Sequence, residues 1–157
     1  IKVELYSDFK CPICPSYNIM LHKLVKENKD VLVIHRNFPL DTECNPYMDG
    51  QMHEGACRMA RYSIGAENQG KYWDMADLLY ERKPKNDEEG INLAKELGLN
   101  IEQFKRDINS TQTRDKIKTD IDKGIALGLD GTPNIIVNGK RYFGAKAYFE
   151  LKRIILK

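Results

Sequence analysis

Cys11-Pro12-Ile13-Cys14 is the feature of this 157-residue chain that most restricts its fold. It follows an alternating run, Lys2-Val3-Glu4-Leu5-Tyr6, which reads as a strand over residues 2–6. It precedes a segment from Ser16 to Asn28 whose Met20, Leu21, Leu24 and Val25 share one helical face. Pro12 takes the place of a first-turn proline. Val31 to Asn37 is a short β-branched run of the kind found in buried parallel strands. Strand, helix, strand is a β-α-β unit, and the cysteine pair falls at its first strand-to-helix junction. There the unpaired amides of a helix's first turn, and its dipole, favour a thiolate at Cys11. Pro12 has no N–H, so the donors are the amides of Ile13 and Cys14, and Lys10 adds a positive charge nearby. Cys14, one turn further in, is the more enclosed sulfur and is placed to attack a mixed disulfide formed at Cys11.

Residues 38–50 are loop-like, rich in Pro, Asp, Asn and Gly. Helical spacing runs from about Gln51 to Leu129, marked by Tyr72, Met75 and Leu79, then Ile101, Phe104 and Ile108, then Ile117, Ile121 and Ile125. Asn86 with Glu89, and Asn100 with Gln103, have capping-box spacing, and Gly98 fits a helix stop. Asn138-Gly139, between Asn134 to Val137 and Lys140 to Phe143, predicts a two-residue hairpin turn. Ala147 to Leu156 predicts a closing amphipathic helix. A β-α-β unit at one end and a β-β-α unit at the other predict an α/β core with a helical insertion.

A composition of 41% hydrophobic and 31% charged residues supplies a core and excludes disorder or a coiled coil. Twenty-five Lys and Arg stand against 23 Asp and Glu, interspersed, which argues against a nucleic acid or an anionic membrane as partner. Apolar stretches of about four residues are far short of a membrane span. No basic segment followed by an apolar run opens the chain. It begins at Ile1, inside a strand and without Met, which predicts a trimmed or mature domain whose leader or anchor lies outside this sequence.

Asp8-Phe9-Lys10-Cys11-Pro12-Ile13-Cys14, Arg36-Asn37-Phe38-Pro39-Leu40, Gly70-Lys71-Tyr72-Trp73 and Gly131-Thr132-Pro133, running on into Ile135-Ile136-Val137-Asn138-Gly139, occur in the order seen in DsbA-like thioredoxin-fold proteins. The chain resembles that family over essentially its whole length. The resemblance implies a thioredoxin core over residues 1–47 and 113–157, with an inserted helical subdomain over 48–112. It implies thiol–disulfide oxidoreductase activity on extracytoplasmic proteins, with Cys11 forming the mixed disulfide and Cys14 resolving it. It further implies a cis Thr132-Pro133 peptide against the cysteines. Pro12, Ile13, Thr132 and Pro133 then contact substrate, the Thr132 backbone pairing with an extended chain. Reoxidation by a quinone-linked membrane enzyme of the DsbB or vitamin K epoxide reductase type follows from the same likeness. No cofactor and no dimerisation domain are expected, and the chain reads as a monomer.

Two positions depart from the family pattern. The central dipeptide is Pro-Ile where strongly oxidising relatives often carry Pro-His, which predicts a milder oxidant. Leu5 stands where many relatives carry a buried acid, while Glu4 points to the opposite face and reads as a solvated strand residue. No proton-transfer carboxylate is therefore assigned.

Cys44 and Cys57 have twelve residues between them, and a structural bridge would contribute about 3 kcal/mol and imply an oxidising compartment. Buried free thiols and a second redox relay are the alternatives. No metal site is assigned: zinc at Cys11 and Cys14 would need two ligands from Cys44, Cys57 or His53, whose spacing matches no finger or ribbon. His22 is expected on the exposed side of the first helix, His35 as a structural strand residue, and His53 near Cys44. Trp73, with Tyr72 and Met75, reads as packing within the insertion. The rival to an enzyme is a thioredoxin-fold peptide-binding module, or a carrier serving one dedicated partner.

Overall fold

The computed structural model describes residues 1–157. Eleven elements follow in order: β1 (Lys2–Ser7), α1 (Cys14–Glu27), β2 (Leu32–Asn37), α2 (Ala56–Glu67), α3 (Tyr72–Arg82), α4 (Asp87–Glu96), α5 (Ile101–Ile108), α6 (Thr111–Ala126), β3 (Asn134–Val137), β4 (Lys140–Phe143) and α7 (Tyr148–Leu156). The four strands form one sheet in the order β2-β1-β3-β4. β1 and β2 run parallel, whereas β3 is antiparallel to β1 and to β4. This is the thioredoxin arrangement of a β-α-β half joined to a β-β-α half.

Strand alternation divides the burial. Val3 and Leu5, with Ile135 and Val137, face α1 and α7, where Tyr17, Leu21, Leu24, Leu151 and Ile155 complete a core. Tyr6 and Phe38 face the other way, onto Ile64 of α2 and Ile117 and Ile121 of α6. The remaining helices close a third cluster around Met59, Tyr62, Met75, Leu79 and Phe104, and Cys11 and Cys14 belong to it. The dithiol therefore lies where the sheet-and-α1 core meets the helical layer.

Local signals account for several boundaries. Asn138 and Gly139 adopt φ of +50° and +77°, the left-handed pair a two-residue hairpin requires. Gly98, at φ +70°, terminates α4. Each expected capping box forms by half. Asn86 and Asn100 accept the amides of Glu89 and Gln103, both at 2.9 Å. The Glu89 carboxylate turns instead to the Lys85 amide, and the Asn100 amide donates to Gln69 across the helical layer at 2.8 Å.

Some expected boundaries move. α1 starts at Cys14 with Ile13 as its N-cap, so Pro15, not Pro12, is the first-turn proline. Residues 51–55 are turns, and α2 begins only at Ala56. The Asp41 carboxylate explains that shift, because it accepts the amides of Gly55 and Cys57 at 3.0 Å each and stands in for a cap. Trp73 packs against the helical-layer cluster as expected, and against the sheet core as well. It lies parallel to His22 of α1 with ring centroids 4.6 Å apart and meets His35 of β2 edge-on at 4.7 Å, joining α3 to the sheet. His22 is accordingly half-buried rather than free in solvent. No helix is long and apolar enough to cross a membrane.

Candidate active site

β1 ends at Ser7, and the chain turns through Asp8, Phe9 and Lys10 before α1. The Cys11 amide closes this turn on the Asp8 carbonyl at 3.0 Å. Cys11 then sits ahead of the N-terminus of α1, and Cys14 is the first helical residue. Both cysteines are free thiols. Cys11 keeps 5% of its surface exposed and Cys14 none, so the order of accessibility is the expected one, with a narrow opening at Cys11. Ile13 projects beside it, 39% exposed, and Pro12 is exposed as well.

Across from the pair lies the loop before β3, in which Thr132-Pro133 is a cis peptide. The Thr132 carbonyl is 3.6 Å from Cys11 Sγ, and Pro133 is buried. This loop and the start of α1 thus bracket one sulfur.

The electrostatics of the two thiols are opposed. A hydrogen bond from the Cys14 thiol holds the Cys11 pKa down at about 6. Burial works against this, while the Thr132 side chain and the amides of Ile13 and Cys14 support it. Burial drives the Cys14 thiol strongly upward, and the neighbouring Cys11 sulfur adds to the rise. Cys14 keeps its proton and donates it; Cys11 gives its proton up. A thiolate that accepts from a buried, protonated thiol can attack a disulfide or leave from one, with its partner in reach to complete the exchange.

Sequence reasoning missed part of the surroundings. Tyr17, Tyr72 and Tyr80 are buried around Cys14, and desolvation raises all three phenols, with the Cys14 sulfur contributing to each. Asp8 is 1% exposed, and its Oδ2 meets His53 Nδ1 at 2.8 Å. His53, in the loop that Cys44 and Cys57 close, therefore pairs with Asp8. Asp8 and Tyr72 stand in the motifs quoted above, but no sequence spacing pairs Asp8 with His53, 45 positions away.

Glu4 is not freely solvated. It binds Arg36 Nε at 2.9 Å, and this pairing outweighs the burial that would raise its carboxyl, holding it below the ordinary range. Arg36 also reaches buried Asp120, which accepts the Asn37 amide at 3.0 Å. This network fastens α6 to β2. Leu5 is 1% exposed and apolar, so no carboxylate comes from that position.

Cys44 and Cys57 form a disulfide with Cα atoms 6.0 Å apart. A cleft of about 490 Å³ beside it is lined by both cysteines and by Arg61, Arg114 and Lys118, but not by Cys11 or Thr132. Its cations are already engaged, with Asp87, the Asn109 carbonyl and Asp122 respectively. No three His, Cys, Asp or Glu side chains converge to hold a metal ion.

A four-stranded thioredoxin sheet, a dithiol at the head of the first helix and a facing cis-proline loop together define a thioredoxin-fold protein of the redox type. The family model for the DSBA-like thioredoxin domain matches residues 2–156, and the chain belongs to that family. A Bacillus anthracis protein named probable disulfide bond formation protein D is 30% identical over 151 residues, covering 88% of this chain and 65% of its own length. The Na(+)/H(+) antiporter NhaA 1 of Mycolicibacterium vanbaalenii is 31% identical over 145 residues, 88% of this chain but 22% of the antiporter. The chain thus spans less than two thirds of the first of these relatives and about a fifth of the second. Among solved structures, a thioredoxin-like oxidoreductase from Silicibacter pomeroyi superposes with a TM-score of 0.78 at 25% identity, covering 97% of this chain and 82% of that one. The thiol-disulfide exchange protein α-DsbA2 of Wolbachia pipientis shares the fold, with a TM-score of 0.80 at 19% identity over 98% of this chain and 78% of that one.

Proposed function

We propose that this chain is a thiol–disulfide oxidoreductase that forms or exchanges disulfides in extracytoplasmic proteins through Cys11 and Cys14. The observation that carries the reading is the opposed pair: Cys11 held near a pKa of 6 beside a Cys14 that retains its proton. In the oxidising direction, a substrate thiolate attacks Cys11 Sγ of the Cys11–Cys14 disulfide. The S–S bond breaks, and Cys14 leaves and takes up a proton. A second substrate thiolate then attacks the substrate sulfur of the mixed disulfide and expels Cys11 as a thiolate. The substrate loses two electrons and the dithiol gains them. In the reverse direction, the Cys11 thiolate opens a substrate disulfide and Cys14 resolves the mixed species.

Pro12 and Ile13 on one side and Thr132-Pro133 on the other hold the substrate chain, whose backbone pairs with that of Thr132. The core comprises residues 1–47 and 113–157, and the helical subdomain 48–112 covers the dithiol. A quinone-linked membrane enzyme of the DsbB or vitamin K epoxide reductase type reoxidises the pair, and the chain acts as a monomer. Without an imidazole between its cysteines, it is a milder oxidant than relatives with Pro-His.

The test is reoxidation of reduced ribonuclease by the stoichiometrically oxidised protein, alongside insulin reduction by the dithiol form. Activity in at least one assay, lost in Cys11→Ser, is expected. Activity in neither, with Cys11 inert to alkylation, would leave a peptide-binding module.

A further inference from the structure

The segment between Leu40 and Cys57 is folded around two buried carboxylates, Asp8 and Asp41, each 1% exposed. Asp41 organises the segment from within. Its carboxylate accepts the amides of Glu43, Gly55 and Cys57 and the side-chain amide of Gln51, all between 2.9 and 3.1 Å. The Cys44–Cys57 bridge closes the same loop covalently. The loop thereby delivers one side chain, His53, to the other carboxylate.

Asp8 lies three residues before Cys11, and both its carboxylate oxygens are engaged. Oδ1 accepts the Lys10 amide at 2.7 Å, and Oδ2 accepts the Leu40 amide at 2.8 Å and faces His53 Nδ1 at 2.8 Å. The His53 amide donates to the Leu40 carbonyl at 2.8 Å, which locks the histidine backbone into the same knot. The Asp8 carbonyl in turn accepts the Cys11 amide. The turn that presents Cys11 is thus anchored by one carboxylate, which is itself held by the loop after β2 and by a histidine from the disulfide-closed loop.

We propose that His53 is a positioning residue for Cys11: as the third partner of Asp8 it fixes the Asp8–Cys11 turn, and the Cys44–Cys57 bridge keeps it there. A buried carboxylate needs its acceptor sites filled, and His53 is the partner that stands between Asp8 and solvent, its side chain 20% exposed. Removing the imidazole opens a path for water. Asp8 then turns outward and loosens the Lys10 and Leu40 amides. The Cys11 sulfur loses its aim at the amides of Ile13 and Cys14, and hydrogen bonds weaken steeply once misaligned.

The inference rests on Cys11 being the reactive thiol of the proposed oxidoreductase. The experiment follows the first alkylation by iodoacetamide of the reduced Cys11/Cys14 pair as a function of pH, with the Cys44–Cys57 bridge verified intact by mass. In His53→Ala, the rate at pH 6 relative to its high-pH plateau should fall about 2- to 5-fold, the equivalent of a midpoint raised by about half to one pH unit from about 6. His53→Gln, whose side-chain amide can still donate to Asp8, should restore the wild-type profile. Cys44→Ser/Cys57→Ser should shift the profile in the same direction, and His53→Ala added to it should shift it little further. A wild-type profile in His53→Ala accompanied by a lower melting temperature would make His53 merely structural and overturn the proposal, as would failure of glutamine to restore the profile. Where His53→Ala does not fold, the double serine variant decides alone, and an unshifted profile there refutes the proposal. The reading of the whole chain as an oxidoreductase fails separately, by absent ribonuclease and insulin activity in the wild type.

Discussion

Replacing Cys14 by alanine removes the first of the influences that hold the Cys11 thiolate, the hydrogen bond donated by the buried thiol. With its pKa at about 6, Cys11 is roughly 90% ionised at pH 7, against about 3% for a cysteine at the ordinary ~8.5. A hydrogen bond to a charged group contributes about 1.5–3 kcal/mol, and one pH unit corresponds to about 1.36 kcal/mol. Cys14→Ala should therefore raise the Cys11 midpoint by about 1–2 pH units. At pH 6 the thiolate fraction then falls from about one half to between about 9% and 1%, and the alkylation rate falls about 5- to 50-fold relative to its plateau. Cys14→Ser keeps an O–H donor and should stay close to the wild type. Stopped-flow alkylation, or thiolate absorbance near 240 nm, measures both. A Cys14→Ala midpoint still at 6 would refute the reasoning and assign the whole effect to the helix amides and Thr132.

Three other outcomes are expected. Burial, then the charges of Lys116 and His22, hold His35 down at about 3; since an unfolded histidine titrates near 6.5, the unfolded chain binds the extra proton. Stability is thus unaffected above pH 6.5 and falls as the pH drops from 6.5 towards 3, by up to roughly 3 kcal/mol at pH 4. Urea unfolding of His35→Leu should show a shallower acid decline than the wild type, and parallel curves would sink the assignment. An alanine Cβ at Gly124 would lie 2.6 Å from the Phe38 ring, so Gly124→Ala should cost about 1–3 kcal/mol, read from the urea midpoint at unchanged slope. Cys44→Ser/Cys57→Ser should lose about 3 kcal/mol in the same assay, and a loss under 1 kcal/mol would show that Asp41 alone holds the loop.

What was legible in the sequence was local chemistry. The cysteine pair at a strand-to-helix junction, the Asn138-Gly139 turn and the helix stop at Gly98 each depend on neighbouring residues, so they survive folding unchanged. The Asn86 and Asn100 caps were legible for half their bonds, because the reciprocal half was taken by Lys85 and Gln69, the latter from the turn between α2 and α3. Periodicity extended a helix back to Gln51, where Asp41 draws the amides of Gly55 and Cys57 into a turn instead. Trp73 carries a helical spacing that points to the insertion, and it does pack there, but its ring also meets His22 of α1 and His35 of β2, which spacing does not foretell. Asp8 stood in the cysteine motif, but its pairing with His53 gave no signal. A bond between a turn and a loop 45 positions later exists only once the sheet has brought them together.

The most direct test of the account is the equilibrium of the protein with reduced and oxidised glutathione, followed by mass after thiol trapping. One two-electron transition, carried by Cys11 and Cys14 while Cys44–Cys57 stays bridged and abolished in Cys11→Ser, is the predicted result. A Cys11/Cys14 pair that stays reduced across the whole glutathione range, or a transition that persists in Cys11→Ser, would contradict it.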